Sequence, residues 1–271
     1  MLELCNVSCH FAATRAVDGV TLTVPPGEFV GVIGRSGAGK STLLRTINRL
    51  VDPTGGEVRF EGRCLTSLKR VALREWRQRC AMIFQQFNLI SRLDVLTNVL
   101  LGRIGSQSLV PAMMKLFPLS DRLDALRAIV RLGLAEQALQ RAGTLSGGQQ
   151  QRVAIARALM QEPAVLLADE PISSLDPVSA RLVMDALAEI NREDGITVLC
   201  NLHDVDVARS YCGRIVGMRR GKVVFDGKPD ELDDSTVADI YEEAEISRQR
   251  SDVAAMPTDS RLPPRRRARA G

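Results

Sequence analysis

The sequence predicts an α/β protein with a mainly parallel sheet and an inserted helical subdomain. Three observations carry this. Short apolar runs bounded by turn residues recur at Phe29–Ile33, Cys80–Phe84, Val165–Ala168 and Ile196–Cys200. Helical periodicity falls between them, and strands that alternate with helices pair in parallel. From Asn88 to about Met160 the pattern is helical throughout, which marks an insertion.

Taken in order, Leu2–Val7 reads as a strand, and Val20, Leu22 and Val24 alternate with Thr21 and Thr23 at a period of two. Pro25-Pro26-Gly27 makes a turn before the buried strand Phe29–Ile33. A glycine-rich loop then leads into a helix over Lys40–Leu50, with Leu43, Leu44, Ile47 and Leu50 at helical spacing. Asp52–Gly56 is a turn and Glu57–Phe60 a strand. In the insertion, Leu123, Leu126, Ile129 and Val130 share one helix face, with Ser120 as N-cap and Gly133 as stop. Gly102–Leu119 is irregular, broken by Pro111 and Pro118. Asp176-Pro177 opens a helix to about Arg192, with proline in its tolerated first turn. Arg214–Met218 and Lys222–Asp226 form a hairpin. From about Ser247 apolar periodicity is lost, and residues 247–271 are expected to be a disordered Arg/Pro-rich tail.

The 271 residues suffice for one large domain or two small ones. An apolar fraction of 45% and a charged fraction of 25% are ordinary for a globular protein. No run approaches 18 apolar residues, which excludes a spanning helix. Met1–Val7 carries Glu3 and no basic region before an apolar run, so a secretory signal is not expected. The net charge of +4 is located in the tail, where residues 257–271 hold five Arg and one Asp. The rest balances at 31 basic and 31 acidic residues, so no nucleic-acid partner is expected. The tail is read as a solvated end; its sharper reading is attraction to anionic lipid. The six cysteines form no CxxC pair and read as reduced core residues. A metal site from Cys5, Cys9 and His10 lacks a second ligand pair and is rejected.

Three motifs carry chemistry. Gly34-Arg35-Ser36-Gly37-Ala38-Gly39-Lys40-Ser41 follows a strand and opens a helix. Its backbone N–H groups and the helix N-terminus would cradle phosphates, Lys40 would reach the β and γ phosphates, and Ser41 would bind Mg²⁺. Val165–Ala168 ends in Asp169-Glu170. Asp169 would hold Mg²⁺ through water, and Glu170 would activate an attacking water. Leu145-Ser146-Gly147-Gly148-Gln149 forms a second anion site at a helix start. Two such elements in one chain make sense in a head-to-tail dimer, where Ser146 and the Gly148 amide of one chain close over nucleotide held by the other.

On these motifs residues 2 to 230 resemble an ATP-binding-cassette (ABC) ATPase, whose signature is LSGGQ. The resemblance implies a P-loop NTPase core, an antiparallel β subdomain and a helical subdomain at about 88–160, all within residues 1–246. It implies ATP and Mg²⁺ as cofactors. Gly34, Arg35, Ser36, Gly37, Ala38, Gly39, Lys40, Ser41 and Thr42 would bind ATP, with Phe11 stacking on adenine. Gln85 matches the Q-loop glutamine, which with Ser41 and Asp169 serves Mg²⁺. Asp176 matches the D-loop, and His203 the switch histidine at the γ-phosphate. Glu170, His203 and Gln85 are the catalytic candidates.

The interval between phosphate loop and signature shows no sustained heptads, unlike repair-type cassettes. The chain carries one cassette, unlike most translation types. A transport ATPase is therefore expected, with an iron–sulfur assembly cassette as the lesser alternative. The run Phe87–Leu100, Leu167–Ile172 and Asn201–Ala208 are similar to phosphonate-importer ATPase subunits. Phosphite is a close variant, and polar amino-acid and methionine importers are the alternatives. The implied partners are a second ATPase chain, two membrane permease subunits and, indirectly, an extracytoplasmic binding protein. The implied location is the cytoplasmic face of the inner membrane.

Overall fold

The structure, a computed structural model, describes residues 1–12, 14–105 and 117–241. Two sheets organise it. β1 (Leu2–Phe11), β2 (Thr14–Val24), β4 (Gly55–Phe60) and β5 (Arg63–Cys64) make an antiparallel sheet in the order β2-β1-β4-β5. The second sheet has the order β10-β9-β3-β8-β7-β6. Its strands are β3 (Phe29–Ile33), β6 (Cys80–Ile83), β7 (Val165–Asp169), β8 (Thr197–Asn201), β9 (Arg214–Arg219) and β10 (Lys222–Gly227). All its pairings are parallel except the β9–β10 hairpin at one edge.

The parallel strands are apolar on both faces because both faces are covered. β3 and β7 are buried at every position. Leu166, Ala168, Val198, Cys200 and Ile215 face one hydrophobic cluster, which includes Val95, Val99, Ile129, Val153 and Leu187 from the helices. Val165, Leu167, Leu199, Val216 and Met218 face the other, with Leu43, Ile47, Trp76 and the antiparallel sheet.

α1 (Lys40–Ile47) ends three residues before the predicted Leu50. The cause is Arg49, whose φ of 60° is left-handed and whose buried guanidinium donates to the Leu65 carbonyl and to Asp52. α2 (Arg70–Arg79) was not anticipated. Its one fully buried residue is Trp76, whose Nε1 donates to the Ile47 carbonyl at 2.9 Å and whose ring lies 5.1 Å from Phe60; Ala72 and Leu73 pack beside it, half-buried.

In the helical insertion, α3 (Val95–Leu100) is capped by Asp94, which accepts from the Thr97 N–H at 2.6 Å. α4 (Leu119–Arg131) corrects two expectations. It starts one residue before Ser120, with Pro118 at the N-cap position. Its buried face is Asp121, Ala125 and Ile129, whereas Leu123, Leu126 and Val130 are exposed. Gly133 stops this helix at a φ of 65°. α5 (Gly147–Leu159), α6 (Pro177–Asp194), α7 (Val205–Tyr211) and α8 (Asp234–Tyr241) complete the described helices. Of the segment expected to be irregular at 102–119, residues 102–105 lie in a 3₁₀ turn over Leu101–Gly105 and Leu119 opens α4; residues 106–116 and the expected tail lie outside the described residues.

Cys9, Cys80, Cys200 and Cys212 are buried free thiols. Burial pushes Cys80 and Cys212 up to about 12 and Cys200 upward as well. The half-buried Cys64 is instead lowered, chiefly by a hydrogen bond with Thr66. Only thiolates react. A native alkylation experiment at neutral pH, read by mass spectrometry, should label Cys5 and Cys64 and leave the four core thiols unmodified. Labelling of Cys200 at a comparable rate would contradict this packing.

Candidate functional site

The strands β3, β7 and β8 are neighbours, and their carboxyl ends converge on one edge of the sheet. Ligands of open α/β sheets bind at that edge. Each strand delivers one part of the site.

β3 delivers the glycine loop. The loop needs glycine where it meets the rest of the protein: a Cβ on Gly39 (φ 103°) would collide with the Ala16 carbonyl, and one on Gly34 with the Met218 carbonyl. Gly37 faces open space. Lys40 is 3% exposed, and its ammonium donates to the Gly34 carbonyl at 2.6 Å and the Arg35 carbonyl at 3.1 Å. Burial pulls its pKa down, and the carboxylates of Glu170 and Asp169 push it back up. A cation is thus held inside the loop, beside amides that have no side chain over them. This suits a polyphosphate.

β7 delivers Asp169 and Glu170. Asp169 is 2% exposed. It accepts from the Ser41 hydroxyl at 2.6 Å, from Asn201 Nδ2 at 2.9 Å and from the Arg45 guanidinium at 3.2 Å. Asn201 also donates to Ser41 Oγ at 3.2 Å, and its buried Oδ1 has no partner. Hydroxyl, carboxylate and an orphaned amide oxygen form a hard-oxygen donor set of the kind Mg²⁺ takes. Glu170 has a φ of 52°, uncommon for a side-chain-bearing residue.

β8 delivers His203, whose Nε2 lies 2.7 Å from Glu170 Oε1. A cleft of about 850 Å³ opens beside this pair, between α6 and α7.

The remaining candidates lie around this edge. Phe11 is half-exposed at the β1–β2 hairpin, whose second strand backs the glycine loop through Ala16. Gln85 sits in the exposed turn after β6. That turn is tied to α5, because Arg157 donates to the Phe87 and Asn88 carbonyls. Ser146 caps α5 and forms a reciprocal capping box with Gln149. Gly148 backs onto Ser179, where a Cβ would come within 2.5 Å of the Ser179 Cβ, and Gly147 faces Leu175. Asp176 caps α6 by accepting from the Val178 and Ser179 N–H groups; the Ser179 hydrogen bond holds its carboxyl below the usual range. The Leu145–Gln149 and Asp176 motifs are therefore neighbours, and the side chains beside Gly147 and Gly148 are not those of the glycine loop.

Sequence reading missed Arg45 and Asn201. Their signals, five positions after Lys40 and two before His203, have meaning only once the sheet brings them to Asp169.

A glycine loop between strand and helix, an Asp-Glu strand end beside it and a capped LSGGQ helix on an inserted layer define an ATP-binding cassette. The chain belongs to the ABC transporter family, whose description matches residues 17–173. It is 61% identical over 241 residues to "Phosphonates import ATP-binding protein PhnC" of Rhizobium meliloti (strain 1021), covering 89% of this chain and 86% of the relative. The protein of the same name from Bradyrhizobium diazoefficiens is 56% identical over 242 residues, covering 89% and 90%. Among solved structures, a dimeric ATP-binding cassette in a post-hydrolysis state bound to ADP and Pi aligns with a TM-score of 0.72 and 36% identity, covering 84% of this chain and 99% of that one. cbiO1 from Clostridium perfringens, part of the ABC transporter complex cbiONQ, aligns with a TM-score of 0.77 and 28% identity, covering 93% and 97%.

Proposed function

We propose that this chain is the ATP-hydrolysing subunit of an ABC importer for phosphonates. The observation that carries the substrate class is the 61% identity over 89% of the chain with a phosphonate import ATP-binding protein. The reaction is phosphoryl transfer to water, in which positioning and electrostatics supply most of the catalysis.

Residues 34–42 bind the triphosphate, with Lys40 as the cation against its β and γ groups, and Phe11 stacks on the base. Ser41, Asp169 and Gln85 serve Mg²⁺, which neutralises charge developing on the phosphates when bound. Glu170 accepts the proton of the attacking water. His203, now bonded to Glu170, turns to the γ-phosphate when nucleotide enters. Leu145–Gln149 of a second chain complete the site, and Asp176 contacts the opposite site across that dimer. Neither site is whole in one chain, so ATP joins two chains and hydrolysis releases them. This open–close cycle drives two permease subunits at the cytoplasmic face of the inner membrane, fed by an extracytoplasmic binding protein. No helix among the described residues is long and apolar enough to cross a membrane, in keeping with a peripheral subunit. The cassette domain is assigned to residues 1–246, and 247–271 to an appended tail.

Deleting the gene should abolish growth on a phosphonate as sole phosphorus source and leave growth on inorganic phosphate intact. Wild type should restore growth and the Glu170→Gln variant should not. Unimpaired growth on phosphonate, in a strain without a duplicate system, would remove the substrate assignment and leave the ATPase.

A further inference from the structure

Tyr241, the last residue of α8, lies far in sequence from every motif above, yet it reaches the centre of the site. Its hydroxyl donates to the His203 carbonyl at 3.0 Å. The Gly34 backbone N–H is close enough to the phenol to pull its pKa down, against the larger effect of burial. Gly34 is the first glycine of the phosphate loop at the end of β3, and His203 follows the end of β8, the neighbouring strand. One phenol is therefore bonded to the His203 loop and stands beside the first glycine of the phosphate loop. Burial pushes the phenol's pKa up, so it remains a protonated donor at neutral pH.

The tyrosine is held where it is. Ile240 beside it is 1% exposed and packs onto Gly217 of β9, where a Cβ would come within 2.5 Å of the Ile240 Cδ1. Glycine at 217 is thus the socket for α8. Arg219 of the same strand pairs with the Asp239 carboxylate and donates to the Asp239 carbonyl at 3.0 Å. An apolar plug and an ion pair fix the helix to the sheet and leave the hydroxyl aimed at the two loops.

We propose that Tyr241 is a positioning residue for hydrolysis, setting the switch-histidine loop at a fixed distance from the phosphate loop so that His203 can pass from Glu170 to the γ-phosphate. The proposal rests on the assignment of His203 given above. It differs from a purely structural role in one respect: the hydroxyl acts through His203.

The test is a double-mutant cycle read by single-turnover ATP hydrolysis and, separately, by MgATP affinity. Tyr241→Phe keeps the ring and its packing. It should slow hydrolysis roughly tenfold, the scale of one to two neutral hydrogen bonds, while MgATP affinity stays within about twofold. In a His203→Ala background the same change should cost less than about twofold. Gly217→Ala, which keeps the hydroxyl but crowds Ile240, should reproduce the slowing without loss of affinity. Equal penalties for Tyr241→Phe in both backgrounds would overturn the proposal, as would no slowing in the wild-type background. A His203→Ala chain as fast as wild type would overturn the switch assignment itself and the Tyr241 proposal with it.

Discussion

Replacing Glu170 by Gln is expected to stop turnover while preserving ATP binding. Glutamine has the size and shape of glutamate, so the strand end, including the left-handed backbone at φ 52°, has no steric reason to move. It cannot accept a proton from water. A positioned general base contributes about 10²- to 10⁴-fold, and the variant should lose at least the lower figure. On the proposed cycle, in which hydrolysis releases the dimer, the variant should also accumulate as a stable pair with MgATP, seen as a doubled mass in size-exclusion chromatography with light scattering. His203 would retain a hydrogen-bond partner at 170, so the switch loop should stay in place. Turnover within tenfold of wild type would remove Glu170 from the role of base.

Lys40→Ala is expected to abolish useful nucleotide binding. Lys40 is 3% exposed, and the loop proposed to hold the phosphates surrounds its ammonium. Hydrogen bonds to charged groups are worth about 1.5–3 kcal/mol each, and Lys40 would make at least one to the β or γ phosphate. The expected loss is therefore about 100-fold in ATP affinity by titration calorimetry. Removing the side chain also takes the ammonium away from the Gly34 and Arg35 carbonyls, of which Arg35 keeps the Ala38 N–H, so the loop itself should loosen. Arginine is not a remedy, since a planar guanidinium is broader than the compact ammonium that the loop encloses. Unchanged ATP affinity in Lys40→Ala would refute the phosphate-loop assignment.

Much of this architecture is written locally in the sequence. The glycine loop declares itself because its spacing, its preceding strand and its following helix are contiguous. The Asp169-Glu170 pair, an apolar run ending in charge, carries little alone and gains its meaning beside that loop. What escapes a linear reading falls into two kinds. α2 groups three of its apolar residues in one short run, Val71-Ala72-Leu73, with Trp76 alone beyond it among charged residues, too little for a periodicity. On α4 the larger apolar residues are at the surface and the smaller Ala125 faces the core, because close helix packing selects for size as well as hydropathy. The second kind is long-range. Arg45 and Asp169 are 124 positions apart, and Tyr241 and His203 are 38 apart. Their contacts exist only after strand order places the carboxyl ends of β3, β7 and β8 together.

The two faces of β7 have a bearing on how work is extracted from ATP. Leu166 and Ala168 belong to the cluster shared with the helical layer, and Val165 and Leu167 to the cluster shared with α1 and the antiparallel sheet. The strand is a partition wall five residues long, and each side chain along it is in touch with one half of the molecule alone. At its tip Asp169 and Glu170 stand where the wall ends and the two halves meet. If hydrolysis takes place at that tip, as proposed, any shift of the two carboxylates bears directly on the wall that both halves share.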